Sequence, residues 1–296
     1  MIAITYTISL EEPLLATMLG GDPNSGISYP YVPGSMIRGM LIARHEPQEA
    51  LAINQRELFF NGQVRFLHAY PADLTRSEWQ RALPAPASWR KKKNRTNQQG
   101  AIEDWALLED IDEESCFKDD ATPIAGSFVW LDEESVAISS PEQRITVHTQ
   151  RSRGPGRAIG NDGAVYRYEA LAAGQHFAGV ILCENNTLAK QIKELLTEEV
   201  AYLGGVQTAG YGRVRISNVS PDEIDHLSSS EPWFEYKGEV EEIASGEDLI
   251  ITLLSDTILR DDFGAIHTDL LAALSLPLEL RSAFKQVAVI GGFNRT

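Results

Sequence analysis

Only two cysteines, Cys116 and Cys183, occur in 296 residues. They stand in dissimilar contexts and without metal-ligand spacing, which excludes a disulfide framework and a zinc site as organising devices. A reducing cytoplasm is the expected setting. Long hydrophobic runs are missing too: no stretch approaches the roughly 20 apolar residues that a membrane span needs. The first segment, Met1 to Leu15, has no basic region ahead of an apolar stretch and no small-residue cleavage site, so a strand is expected there and not a signal peptide. Positive charge is scarce, with 26 basic against 42 acidic residues and a formal net charge of −16. Taken as a total, that balance speaks against a polyanionic partner. The histidines, His45, His68, His148, His176, His226 and His267, are scattered, and none accompanies an obvious nucleophile motif.

What is present is an ordinary globular composition, 43% hydrophobic and 23% charged, sufficient for a real core. The charge is unevenly distributed. Nine acidic residues fall between Glu103 and Asp120 against Lys118 alone, whereas five arginines fall between Arg144 and Arg167 against Asp162 alone. The run Trp89 to Arg95 is basic as well. Phosphate affinity follows local potential more than total charge, so a basic face on an acidic molecule keeps a nucleic-acid partner open.

Periodicity predicts a strand over Ile2–Leu10, then a dense turn cluster from Gly20 to Gly26. Met36, Ile37, Met40 and Leu41 recur at helical spacing, with Ser35 in the position of an N-cap. Val64–Ala69 reads as a strand. From about 71 to 143 the chain turns rich in proline, charge and Gln/Asn, as expected of an insertion. Arg144–Gln150 is a strand, and Tyr166–Leu171 and His176–Cys183 read as a strand pair joined by Ala172-Ala173-Gly174. Thr187 is placed to cap a helix running to about Val200, with apolar Leu188, Ile192, Leu195, Leu196 and Val200 at spacings of three or four. A glycine-rich loop, Leu203 to Gly212, leads into a strand at Arg213–Ile216. This order predicts an α+β, ferredoxin-like (RRM-like) module over 1–220 with the insertion inside it. A second module is expected over 230–296, with a strand at Asp248–Leu254 and a short helix at Asp269–Leu274. It looks incomplete, as though the natural chain continued.

Several segments carry chemistry. Gly204, Gly205, Gly210 and Gly212 allow positive φ and close backbone approach and can present N–H groups to phosphate, with Tyr211 and Arg213 beside them for stacking and pairing. The alternative is an ordinary helix-to-strand turn. Ser35 and Arg38 stand at a helix N-terminus suited to an anion, or to plain packing on a sheet. Arg144, Arg151, Arg153 and Arg157 flank a Gly/Pro-rich loop that suits single-stranded RNA, a solvated surface or an acidic protein. For catalysis, His148 is a candidate general base for attack by a 2′-hydroxyl, and Asp22 sits in an Asp-Pro-Asn turn that is also good turn chemistry.

Three stretches together resemble the RAMP superfamily of CRISPR effector proteins. Tyr31-Val-Pro-Gly-Ser-Met-Ile-Arg-Gly-Met-Leu41 is similar to that family's Pro-Gly-Ser-x-x-Arg/Lys-Gly segment. His148 through Arg167-Tyr168-Glu169 resembles its His…Arg…Leu-Tyr-x-x-Glu region, with Val165 replacing the usual leucine. Leu203 through Arg215 resembles the glycine-rich loop that ends a RAMP module. The turn Gly21-Asp22-Pro23-Asn24-Ser25 and the final Gly-Gly-Phe-Asn-Arg-Thr look most like the type III-D subunit that caps the guide's 5′ handle. The resemblance covers roughly residues 1–45 and 144–217. It implies a type III effector subunit in antiviral defence, holding guide RNA and docking other RAMP subunits and the large signature subunit. Target RNA would be met indirectly, with no cofactor, metal or membrane. It also implies an alternative: an endoribonuclease cutting target RNA through Asp22 or processing guide RNA through a histidine. A protein scaffold without RNA is the third reading.

Overall fold

The computed structural model describes residues 1–18, 25–45, 52–74, 81–93, 102–108, 110–124, 128–131, 136–149, 165–221, 248–260, 263–271 and 279–285. In chain order its strands and helices are β1 (Ile2–Leu10), β2 (Ser25–Ile27), α1 (Gly34–Arg44), α2 (Ala52–Phe59), β3 (Val64–Phe66), β4 (Tyr70–Pro71), β5 (Leu83–Pro84), β6 (Trp89–Lys92), β7 (Ile102–Asp104), α3 (Ile111–Glu114), β8 (Ala121–Pro123), β9 (Phe128–Leu131), β10 (Val136–Ser139), β11 (Gln143–Thr149), β12 (Val165–Leu171), β13 (His176–Cys183), α4 (Asn186–Leu196), β14 (Val200–Tyr202), β15 (Arg213–Ser220), β16 (Leu259–Arg260) and β17 (Ile266–His267). The fold is mixed α+β, mostly strands with few helices. The chain divides into two compact units, one of residues 1–82 with 140–238, the other of 83–139 with 239–296.

The first unit is built on a sheet in the order β14-β15-β1-β13-β3, with β4 also on β13. Ladders of β1 with β13 and with β15 are antiparallel, and Ile4 faces Ile181 while Ile8 faces both Phe177 and Ile216. Alternation along β1 sends Ile2, Ile4, Tyr6, Ile8 and Leu10 to one face. There they share a core with Ile37 and Leu41 of α1 and Leu188, Ile192 and Leu196 of α4, so both helices cover the same side of the sheet. Burying each Ile or Leu of this kind stabilises the fold by about 1.5–3 kcal/mol. Tyr6 lies across Gly179, where a β-carbon would stand 2.4 Å from the ring, so the glycine makes room for the largest side chain of the layer.

Two helix starts differ from the sequence expectation. The N-cap of α1 is Pro33, and Ser35 lies inside the first turn and is exposed. α4 is capped by Asn185, whose side-chain oxygen accepts from the Leu188 N–H at 3.0 Å, and not by Thr187. Asn185 is extended and one turn ahead of Leu188, the geometry an N-cap requires. α4 also stops at Leu196, because the chain turns back into β14, where Val200 pairs with Arg215 of β15.

A larger difference concerns β12 and β13. Both strands form, yet they do not pair with each other. β12 joins a second sheet in the order β11-β12-β2, antiparallel to β11 and parallel to β2. Leu171 exchanges backbone hydrogen bonds with Leu14, and Gly174, at φ +87°, then delivers the chain into the main sheet. β13 is buried along nearly its whole length, which suits a central strand, whereas β12 is half-exposed.

In the second unit, β6 runs between β7 and β8, and β9 between β10 and β5. Ala85, Ile124 and Val129 form its core with Trp89, Ile102, Val136 and Ile138 packed on it. The first part of the basic run, Trp89–Lys92, forms β6 and pairs with acidic β7, with Arg90 opposite Glu103, an opposite-charge pair across the ladder. The Arg90 guanidinium lies 4.6 Å from the Trp105 ring. Residues 248–254 form no strand: among the described residues no neighbouring strand offers them a ladder, and the pairing in this stretch is β16 with β17 instead.

The two thiols have opposite surroundings. Cys183 is buried in the main sheet, and burial pushes its thiol up to about 12, while Cys116 is exposed. A thiol reagent at about pH 8 is therefore expected to titrate one cysteine in the folded protein and the second only after denaturant is added. Rapid reaction of both in the native protein would contradict the packing of β13.

Candidate nucleic-acid interface

At the start of α1, local chemistry explains Pro33-Gly34-Ser35. Proline fixes the extended approach, and the Gly34 N–H donates to Nδ1 of His68 at 3.0 Å. A β-carbon on Gly34 would stand 2.0 Å from the Phe66 carbonyl oxygen, so α1 can lie against β3 only because this residue is glycine. One of the first-turn N–H groups expected to be free for an anion, that of Gly34, is thus already engaged. Ser35 is exposed and Arg38 half-buried on the next turn. Gly39, by contrast, has nothing within 4 Å of the place a β-carbon would take.

Hairpin β11–β12 and the glycine loop meet. Register sets Thr146 opposite Tyr168 and His148 opposite Tyr166. His148 Nε2 and the Tyr211 hydroxyl are 3.0 Å apart, and Tyr168 packs against both rings at 4.9 Å and 6.0 Å. Tyr211 is only 5% exposed, seated with Leu15 and Ala170. Its hydroxyl edge, not an open ring face, is what it presents. The opposite face of the hairpin carries Ile145, Val147 and Val165, all exposed, and the Arg167–Glu169 ion pair at 3.4 Å.

Within the loop the glycines divide by role. Gly212, at φ +86°, would put a β-carbon 2.1 Å from the Leu203 carbonyl oxygen, and Gly204, at φ +72°, one 2.5 Å from that of Leu15. Leu203 and Gly212 are joined by a backbone hydrogen bond of 2.8 Å, and the Gly212 N–H donates to Pro13. These two glycines close the loop on the body of the unit. Gly205 and Gly210 face open space. Between them Val206 takes φ +60°, a conformation that costs a β-branched residue of order 1–3 kcal/mol.

Arg213 pairs with Glu11 at 3.0 Å, and Arg215 bridges Glu11 and Glu199, each at 2.8 Å. The hydrogen bond and charge of Glu11, then Glu199, hold the Arg215 guanidinium above its ordinary pKa. This network was missed by sequence reading, and only strand alternation placing 213 and 215 on one face hinted at it. Arg144 is exposed and ion-pairs with none of the described residues. Asp22, Arg151, Arg153 and Arg157 lie outside the described residues. Among the described residues no group of three or more His, Cys, Asp or Glu could hold a metal ion, and no helix is long and apolar enough to cross a membrane.

One cluster went unread in the sequence. Val32 and Ala69 exchange backbone hydrogen bonds of 3.0 and 2.9 Å, setting two extended segments side by side. Tyr29 and Tyr31 alternate on one, His68 and Tyr70 on the other. Ring centroids are 5.1 Å apart for Tyr29–Tyr31, 4.7 Å for Tyr31–His68 and 5.8 Å for Tyr31–Tyr70. Arg81 lies 4.4 Å over Tyr70 and donates to the His68 carbonyl oxygen at 2.6 Å. Burial lowers the pKa of this guanidinium, and the neighbouring Tyr70 and Tyr6 hydroxyls partly oppose that. The signal was there in two i, i+2 aromatic pairs on extended chain.

Neither a protein-family model nor a curated protein sequence matches the chain. Among solved structures it is similar to a chain of the apo type III-B Cmr-beta complex, at 12% identity and TM-score 0.40, over 75% of this chain and 98% of the other. Oligomeric Cmr4 from Pyrococcus furiosus is similar at 13% identity and TM-score 0.32, over 73% and 97%. A chain of a type IV-B CRISPR complex is similar at 15% identity and TM-score 0.35, over 81% and 100%.

Proposed function

We propose that this chain is a non-catalytic RNA-binding subunit of a CRISPR type III effector, holding guide RNA at its repeat-derived 5′ handle and docking neighbouring RAMP subunits. The observation that carries the reading is the His148–Tyr211 hydrogen bond of 3.0 Å. It ties together two of the three stretches on which the sequence resemblance rests, so the glycine loop and strands β11 and β12 act as one surface. The sheet order, fourth strand beside first, then third, then second, with both helices on one face, supports an RRM-like module. Engagement of the His148 ring by a buried tyrosine favours positioning over proton transfer, which weighs against the ribonuclease alternative through that residue.

Repeat-derived RNA binding by the full chain, measured over a salt series, tests the proposal. Arg38→Ala and Arg144→Ala are each expected to weaken binding about 5- to 20-fold, equivalent to about 1–2 kcal/mol. Each should also flatten the dependence of log K on log salt by roughly 0.7 for every single-strand phosphate left without its cation. Wild-type affinity in both variants, or no RNA binding by the wild type, would sink the reading. Cleaved RNA after incubation with the wild type, abolished by Asp22→Ala, would replace it with the nuclease.

A further inference from the structure

The ladder Tyr29–Tyr31–His68 carries a step beyond the assignment of a general RNA surface. Most ring pairs in the first unit meet edge-on or steeply tilted, as Tyr168–Tyr211 does at 85° and His45–Phe59 at 90°. The ladder instead inclines ring on ring, at 31° for Tyr29–Tyr31 and 35° for Tyr31–His68. Phe59–Phe66 is the stacked pair, at 19°, but Phe59 is buried in the core and Phe66 packs against that core. Tyr29, Tyr31 and His68 are each half-buried. Tyr29 ends the row: among the described residues no further ring stacks on it and no group bonds its hydroxyl.

The row is held rigidly at both ends. The Tyr29 N–H donates to the Ala16 carbonyl at 2.9 Å, and the preceding Ser28 hydroxyl is bound on both sides, by the Ala16 N–H at 3.0 Å and to the Leu14 carbonyl at 3.3 Å. At the other end His68 is pinned through Nδ1 by the Gly34 N–H and through its carbonyl by Arg81. The ladder is therefore coupled to the first turn of α1, and Arg38 lies about 6 Å further along that helix axis from Gly34. A fixed row of inclined rings, ending in a half-buried tyrosine whose hydroxyl bonds none of the described residues, suits the addition of one more flat ring. A side-chain-lined protein groove would need a wider apolar surface than one ring face supplies.

We propose that an unpaired base of bound RNA stacks on the outer face of Tyr29, extending the row of rings at the end away from α1. This rests on the RNA-binding reading above and names one stacking partner within it. Stacking on a preorganised aromatic is worth a factor of about ten or more in affinity per base and tolerates any base, because every base has a π-face.

The test uses the full chain and a single-stranded oligoadenylate of about 12 nucleotides carrying 2-aminopurine at successive positions. Wild type should bind it and quench 2-aminopurine at one position in the bound register. Tyr29→Ala should bind about tenfold more weakly and lose that quenching, while Tyr29→Phe, which keeps the ring, should quench as wild type does and bind within about threefold. Tyr202→Ala, an exposed tyrosine on edge strand β14, should change neither. Unaltered thermal melting of Tyr29→Ala separates a stacking defect from a folding defect. If the wild type binds RNA and Tyr29→Ala binds and quenches equally well, stacking on the ladder is overturned and RNA binding stands; loss of a co-purifying subunit with RNA affinity kept would overturn it likewise, in favour of a protein partner. If the wild type binds no RNA, both proposals fall.

Discussion

Gly34→Ala and Gly39→Ala, five residues apart in one helix, are expected to move stability in opposite directions. A β-carbon at Gly34 would meet the Phe66 carbonyl oxygen at 2.0 Å and the Leu67 carbonyl oxygen at 3.0 Å, both backbone atoms that cannot rotate away. Relief requires α1 to lift from β3, which also breaks the Gly34–His68 hydrogen bond. The expected cost is about 3 kcal/mol or more, as for other overpacked positions. At Gly39 a β-carbon meets nothing within 4 Å, and replacing an open helical glycine by alanine is worth about 1 kcal/mol of added stability. For a unit of this size the pair should separate in Tm by roughly 8–16 °C. Thermal denaturation of both variants beside wild type measures this, and shifts of the same sign would mean that α1 does not lie against β3 as described. Gly39 carries a second consequence. It stands in the stretch that resembles the RAMP family, yet packing places no demand on it, so reduced RNA affinity in a stabilised Gly39→Ala would mark close approach of a ligand.

The second large effect is expected in the core. Ile192 is fully buried on α4 in the same cluster as Ile37, Leu41, Ile4 and Ile8. Ile192→Ala removes three carbons from a layer shared by both helices and the sheet, and should cost about 2–5 kcal/mol, the spread reflecting how far α4 can settle into the cavity. Val147, 62% exposed on β11, provides the contrast. Val147→Thr keeps the branched shape preferred in strands and should stay within about 0.5 kcal/mol of wild type. Equal denaturation midpoints for wild type and Ile192→Ala would show that α4 is not the lid of this core.

β1 and the helical stretch around Ile37 and Leu41 were legible because their signals are local. Alternation at a period of two and recurrence at three and four state which face is apolar, wherever the chain goes afterwards. The same holds for Leu188, Ile192 and Leu196. Caps were less legible, since Asn185 and Thr187 are both good candidates and only the final path of the chain chooses which of them is extended. The pairing of β12 with β13 was read wrongly for a related reason. A three-residue connection ending in glycine signals a hairpin, but the seven consecutive buried residues Phe177–Cys183 belong between two other strands. β12, apolar on part of one face, is satisfied by Leu14, β2 and β11.

For the candidate interface, the residue types were visible but their company was not. His148 and Tyr211 are 63 residues apart, and no periodicity links them. Tyr29, Tyr31, His68 and Tyr70 come together only through the Val32–Ala69 bridge. Sequence by itself determined the α+β class, the buried faces of β1, α1 and α4, and the glycines without which the chain could not turn. Tertiary structure decided which strands are neighbours, which N–H groups are already taken, and which arginines are already neutralised by Glu11. The division follows from range: burial preference is written residue by residue at fixed local spacing, whereas hydrogen-bond and ion-pair partners depend on where distant segments arrive.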